Sequence, residues 1–348
     1  MEGLSVAEAQ SLWEPVSTYL NTASYGLPPR PSTDALQEAL EDWRGGRTSW
    51  EHWGIPGEEA RAAFARLVGV PTDTIAIGST VSSLVGLVAA SIPDGSRVLA
   101  PDVEFTSLLF PFLVQEDRGV TVRLVPVREL PGEIGPDVDV VAFSAVQMAT
   151  GEVADLDAIA DRAAEHGVMT VVDATQAIGW LPVDAGRFDV VAAHGYKWLM
   201  SPRGTAFMSI RPERLHDIIP HAAGWYAAED PYSTYYGAPL RLAKSARRLD
   251  VSPAWFMWVA TAPTLAVIEQ IGVEAIREHD LTLANSFRSG LGLEPEHSAI
   301  VFCDVADAAE KLARAGIQAA VRAGRLRTSW HVYNTPADVD AALEALVG

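Results

Sequence analysis

Short unbroken apolar runs alternate along this chain with segments whose apolar residues recur at helical spacing. VVAF at 140–143, MTVVD at 169–173 and DVVAAH at 189–194 are apolar at consecutive positions. Such runs mark strands buried on both faces, which belong to a parallel-rich sheet covered by helices. The pattern predicts strands over 75–77, 97–100, 120–126, 138–144, 168–173, 188–194 and 204–210. Helices are predicted over 5–13, 32–44 (with Ser32 or Thr33 as N-cap), 56–68, 82–91, 107–114 and 156–166. After Arg211 the texture changes to an aromatic loop over 224–237, then a helix-rich stretch from Pro253 that Pro263 should kink or divide. Strand, helix, strand and helix are then expected over 299–304, 306–315, 326–330 and 337–347. The expected architecture is α/β, with a large domain over 1–264 and a smaller α/β domain over 265–348. Residues 1–20 are expected to pack on the smaller one.

Composition narrows the partners. The 348 residues carry a formal charge of −19, which argues against a nucleic-acid backbone or an anionic membrane, since both require a basic face. The lone cysteine, Cys303, excludes an internal disulfide and a cysteine-based metal cluster, and no metal site is expected. No apolar run follows a basic N-terminal stretch and none reaches 18 residues, so a cytoplasmic protein is expected. Only three of the 26 basic residues are lysine, namely Lys197, Lys244 and Lys311. Arginine serves almost everywhere a cation is wanted, so each lysine calls for a reason.

Ligands of open α/β sheets bind beyond the carboxyl ends of the strands. Asp173 ends one predicted strand and Lys197 follows another by three residues, in HGYKWL. A lysine between Tyr196 and Trp198 is partly desolvated, which lowers its pKa and suits it to form a Schiff base. An acid across the same crevice would hold a pyridine nitrogen protonated, the pairing that pyridoxal 5′-phosphate (PLP) enzymes use. The alternatives are a snorkelling surface lysine and a helix-capping aspartate. In GSTVSSLVGLVAA, from Gly78, small hydroxyls open a predicted helix, whose N–H groups and dipole suit either a phosphate or plain capping.

At these residues the chain resembles a known family. VDATQAIG and HGYKWLMSPRGTAFM look like the class V aminotransferase family of PLP enzymes of fold type I, with its isopenicillin N epimerase, kynureninase and cysteine desulfurase relatives. The resemblance runs from LNTASYG to RTSWHVYNT. It implies that Lys197 forms the Schiff base and shuttles protons, Asp173 pairs with the pyridine nitrogen, and Gln176 bonds the phenolic oxygen or the Schiff base. It further implies a phosphate cup with Ser82 and the backbone of Val81, and contacts from His194 and Tyr196. Phe105 would stack on the cofactor, where desulfurases carry histidine. Ser252 would reach the phosphate of a partner subunit, which implies a homodimer with shared active sites. Arg327 would clamp a substrate α-carboxylate, and Asn21, Ala23, Trp225 and Tyr226 would line the pocket. Gln147 would contact the cofactor instead, beside Met148, where desulfurases have asparagine.

The segment AAVRAGRLRTS lacks the mobile cysteine of a desulfurase, and Cys303 lies in an apolar run, so persulfide chemistry on an enzyme cysteine is not expected. The expected activity is PLP-dependent chemistry on an amino acid or amine, through an external Schiff base and a Cα carbanion. Aminotransfer comes first, and epimerisation or C–S/β-lyase chemistry is the alternative. A catalytically inert binding protein is the rival from another class. A nucleotide-binding protein is disfavoured, because neither G-x-G-x-x-G nor a Walker A string occurs.

Overall fold

The computed structural model describes residues 3–322 and 324–348. Seven strands form the main sheet: β1 (Ile75–Gly78), β2 (Arg97–Pro101), β3 (Thr121–Val125), β4 (Val140–Ser144), β5 (Met169–Asp173), β6 (Val190–His194) and β7 (Ala206–Ile210). Their order is β1-β7-β6-β5-β4-β2-β3. β3, β2, β4, β5 and β6 are parallel, whereas β7 runs antiparallel to both β6 and β1. Two reversals return β1 to the direction of β6, so the carboxyl ends of β1, β5 and β6 share one edge of the sheet. Successive strand residues feed two different cores, as their alternating side chains require. Val172, Val191, Ala193 and Phe207 enter one, and Val171, Val190, Ala192 and Met208 enter the other.

The helices are α1 (Val6–Ala9), α2 (Arg30–Arg44), α3 (Trp50–Leu67), α4 (Val81–Ser91), α5 (Thr106–Leu113), α6 (Leu130–Glu133), α7 (Leu156–His166), α8 (Trp255–Ile271), α9 (Val273–Gly290), α10 (Ala308–Arg314) and α11 (Pro336–Val347). A second sheet, β8-β10-β9, is antiparallel and comprises β8 (Ile300–Cys303), β9 (Ala320–Arg322) and β10 (Arg325–Ser329). It has its own core of Leu283, Phe287, Val301, Leu326 and Trp330, into which Leu20 of the N-terminal segment inserts. The N-terminal segment also bridges this sheet through Asn21 to Ser329.

Three local expectations change. α2 begins at Arg30 after Pro29, and the Ser32 hydroxyl donates to the Ala260 carbonyl at 2.7 Å instead of capping. α3 begins at Trp50, with Pro56 inside it. Trp50 and Trp53 pack on Trp225 and Phe256, so tertiary contact extends the helix past the proline. Pro263 does not divide α8; the break falls at Gly272, whose φ is 88°, and α9 leaves at 80°. A division at 264/265 would cut α8, so we propose Gly272 as the boundary between the two sheets' domains. No single helix among the described residues is long and apolar enough to cross a membrane.

Candidate active site

The neighbouring carboxyl ends of β5 and β6 bring Asp173 and the Lys197 loop together. Two glycines hold that loop. Gly26 donates its N–H to the Tyr196 carbonyl at 2.9 Å, and a Cβ on Gly26 would collide with the Lys197 carbonyl. Gly179, at φ 119°, leaves no room for a Cβ against the Trp198 carbonyl. Lys197 is 4% exposed, and among the described residues its Nζ reaches only the Met148 sulfur, at 3.8 Å. It lies 5.6 Å from the centre of the Phe105 ring and 5.8 Å from that of Tyr196. Burial pushes its pKa down to about 8; Asp173 opposes the shift, while Arg327, Arg203 and Arg322 assist it.

Asp173 is buried and accepts the Thr175 N–H at 2.9 Å. Burial raises its pKa, against that hydrogen bond and the Lys197 charge. No basic side chain among the described residues lies within ion-pair distance of it. Phe105, Ser107, Ser144, Met148, Thr175, Gln176, His194 and Tyr196 line the narrow chamber with the pair. Larger surface hollows, such as the one along α9 beside Glu274 and Arg277, hold no comparable acid and lysine.

The N-terminus of α4 closes one end. Thr80, not Ser82, is its cap, accepting the Ser83 N–H at 3.2 Å. The Ser82 hydroxyl lies 3.3 Å from that of Thr80 on the exposed side. Val81 donates its N–H to His194 Nε2 at 3.1 Å, which puts the imidazole proton on Nδ1. Burial lowers the His194 pKa to about 4, so the ring is neutral, and its buried Nδ1 has no partner.

Glu104 is a hub that sequence reasoning missed. It accepts from the Phe105 N–H at 2.7 Å, the Ser144 N–H at 2.7 Å and Gln147 Nε2 at 2.9 Å, while burial raises its pKa. It thereby sets the backbone that carries Phe105 and holds Gln147, whose Oε1 stays unpartnered. A glutamate beside a resembled ring position carries no sequence signal for such a role. The Gln176 amide donates to the Ala23 carbonyl at 3.0 Å and accepts from Trp198 Nε1 at 2.7 Å, leaving one N–H for the chamber.

Arg327, on β10, is 1% exposed and has no carboxylate partner among the described residues. One nitrogen, Nη2, donates to Ser24 Oγ at 2.6 Å and approaches Asn21 Oδ1 at 3.5 Å, while Nε and Nη1 are buried with no partner among the described residues. A buried cation with two idle donors is what an anion site looks like without its anion.

Comparison with known proteins agrees. Residues 18–318 match the family described as Aminotransferase class-V. The chain belongs to the class-V aminotransferase family. An "Uncharacterized aminotransferase YcbU" of Bacillus subtilis (strain 168) is 27% identical, covering 94% of this chain and 93% of its own. An isopenicillin N epimerase of Streptomyces clavuligerus is 27% identical, covering 83% and 78%. Kynureninases and a probable cysteine desulfurase are further relatives. The fold matches that of the cystine C–S lyase C-DES, solved with its product cysteine persulfide, at TM-score 0.85 and 22% identity, covering 95% and 97%. A C-DES mutant with glycine linked to its PLP cofactor matches at TM-score 0.86 and 21% identity, covering 99% of each.

The family is a PLP family, and the donors present here fit that cofactor. Asp173 is a buried carboxylate that lacks a cationic partner, and His194 Nδ1 is a buried N–H that lacks an acceptor. Three expected residues lie elsewhere in the class-V chain. Trp225 sits in an aromatic cluster with Trp50, Tyr226 and Tyr235, away from the Lys197 chamber. Its neighbour Tyr226 donates to Glu58 Oε1 at 3.1 Å. Ser252 is exposed and is not among the residues lining the chamber.

Proposed function

We propose that this class-V chain is a PLP-dependent aminotransferase acting on an amino acid through its α-carbon. When bound, the cofactor supplies an electron sink for negative charge developing at that carbon. Asp173 would hold the cofactor's ring nitrogen, Phe105 its ring face, and the α4 N-terminus with Val81, Ser82, His194 and Tyr196 its phosphate. Arg327, with Asn21 and Ala23 behind it, would orient the substrate α-carboxylate. The observation that carries the reading is that, among the nitrogen bases lining the chamber, Lys197 alone is brought near neutrality. The Lys197 pKa falls to about 8, whereas that of His194 falls to about 4 and that of Tyr196 rises. A single base at Nζ could take the proton from the substrate α-carbon and deliver it on the same face to the cofactor's exocyclic carbon, which is the transfer transamination requires. Epimerisation with one base on each side of the α-carbon lacks its second group.

A C–S or β-lyase is the second reading, because loss of a β-substituent also needs one base. Persulfide formation on the chain's own thiol is disfavoured. Cys303 is 3% exposed at the end of β8, an outer strand of the second sheet, and burial lifts its pKa to about 11. The proposal includes a homodimer that brings Ser252 to the partner's phosphate, and a cytoplasmic setting.

The test is the visible absorbance of the purified protein. A band that borohydride removes and that Lys197→Ala lacks is expected, and a colourless protein that cannot take up PLP overturns the reading. Incubation with amino acids in deuterated water then separates the reactions. Stoichiometric keto acid supports transamination, released ammonia or sulfide supports the lyase, and α-exchange alone supports epimerisation.

A further inference from the structure

The α-carboxylate needs one arginine, yet the register of the second sheet supplies a surplus. Arg322 pairs with Arg325, and Ala320 with Arg327, across β9 and β10. Residues opposite each other on antiparallel strands, and residues two apart on one strand, share a face. Arg322, Arg325 and Arg327 therefore project from the same side, the side on which Ser24 of the N-terminal segment lies. Arg325 is answered by Asp304 at 2.9 Å. Neither of the others has a carboxylate within ion-pair distance among the described residues, in a chain of net charge −19.

These two guanidiniums converge on one oxygen. Arg322 Nη2 donates to Ser24 Oγ at 3.1 Å, and Arg327 Nη2 donates to the same atom at 2.6 Å. With both of its lone pairs taken, the Ser24 hydroxyl keeps its O–H to donate outward. Two like charges on one hydroxyl repel each other, and Arg327 brings two further idle donors, Nε and Nη1. Arg203, which also has no carboxylate partner among the described residues, lies against the Tyr196 ring with its guanidinium 4.9 Å from the ring centre. One carboxylate cannot neutralise this cluster.

We propose that Arg322 binds a second, distal carboxylate of the substrate, so that the enzyme prefers acidic amino acids over their neutral amides. The inference rests on the reading of Arg327 as the α-carboxylate site. Arg327 takes the first carboxylate, and Arg322, five residues earlier and half-buried at the end of β9, takes the second. The Ser24 hydroxyl spans the two.

The test uses the PLP-loaded protein with two pairs, glutamate against glutamine and aspartate against asparagine, each followed by α-proton exchange. It also uses the amine-free pair glutarate and glutaramate, followed by calorimetry. In at least one amino-acid pair the acid should exceed its amide in kcat/KM by about tenfold or more, and glutarate should bind more tightly than glutaramate by a similar factor. Arg322→Gln should bring both ratios to within about twofold, and Arg322→Lys should leave them in between. Equal acid and amide in every pair, or ratios that Arg322→Gln leaves intact, overturn the proposal. Absence of exchange with all four amino acids would instead count against the enzyme reading. Glutarate binding decides the arginine site without turnover.

Discussion

Arg61 and Arg327 are both 1% exposed, yet replacing each with methionine should move stability in opposite directions. Arg61 is saturated: it meets Asp250 at 2.6 Å, Glu58 at 3.0 Å and the Ile75 carbonyl at 2.6 Å. Asp250 is wholly buried, so Arg61→Met strands a carboxylate and should cost about 3–5 kcal/mol. Arg327 has only Ser24 and a distant Asn21 oxygen. Burial, and secondarily Arg322, depress its pKa from the ordinary arginine value to about 10, which corresponds to roughly 3 kcal/mol against the charged form. Because the folded value is the lower one, the penalty is present at every pH below about 10 and is constant around neutrality. Arg327→Met removes it and forfeits about 1 kcal/mol of hydrogen bonding to Ser24. The substrate-free variant should therefore be more stable, by roughly 1–2 kcal/mol. For a carboxylated substrate the same change deletes a charge-assisted pair worth about 2–5 kcal/mol, or roughly 30-fold to several thousandfold in kcat/KM. Denaturant melts of both variants, beside kinetics on an amino acid and its decarboxylated amine, read out the contrast. If Arg327→Met falls in stability as far as Arg61→Met, or if amine and amino acid lose activity equally, the argument is refuted.

The remaining expectations are briefer. In the cofactor-free protein, Lys197 goes from 10.5 unfolded to about 8 folded, so the unfolded chain binds more protons in between. Stability should rise by up to roughly 3 kcal/mol between those pH values relative to Lys197→Met, and parallel melt curves of the two would refute this. Asp173→Asn should lower kcat roughly 10²-fold or more at unchanged expression, and near-normal turnover would remove it from the ring-nitrogen role. His331 faces Asp280 Oδ2 at 2.8 Å and the Trp198 carbonyl at 3.0 Å, all buried, so His331→Ala should cost about 3–5 kcal/mol in a denaturant melt by stranding Asp280. Cys303→Ser should leave kcat within about twofold, since a buried strand thiol has no path to substrate, and loss of activity at intact fold would revive the persulfide alternative.

What was legible in the chain follows from how each feature is written there. The strands announced themselves because burial on both faces leaves consecutive apolar residues, and the Asp173–Lys197 pairing followed once those strands were neighbours. Phe105 and the α4 N-terminus were legible only through family resemblance, since a phenylalanine and a few small hydroxyls serve many ends. The start at Pro56 and the division at Pro263 do not hold because local propensity lost to packing: Trp50 and Trp53 hold the start of α3, and hydroxyls from Ser32 and Thr264 both donate to the Ala260 carbonyl in the turn ahead of Pro263, which stays inside α8. The proposed anion site was the least legible part. An arginine looks alike whether a carboxylate answers it or not, and its answer is set across some 300 positions, by Ser24 lying over β9 and β10. Only the folded chain shows that Arg325 is neutralised and Arg322 is not. That difference, and not the number of arginines, distinguishes a generic surface cation from one kept free for a ligand.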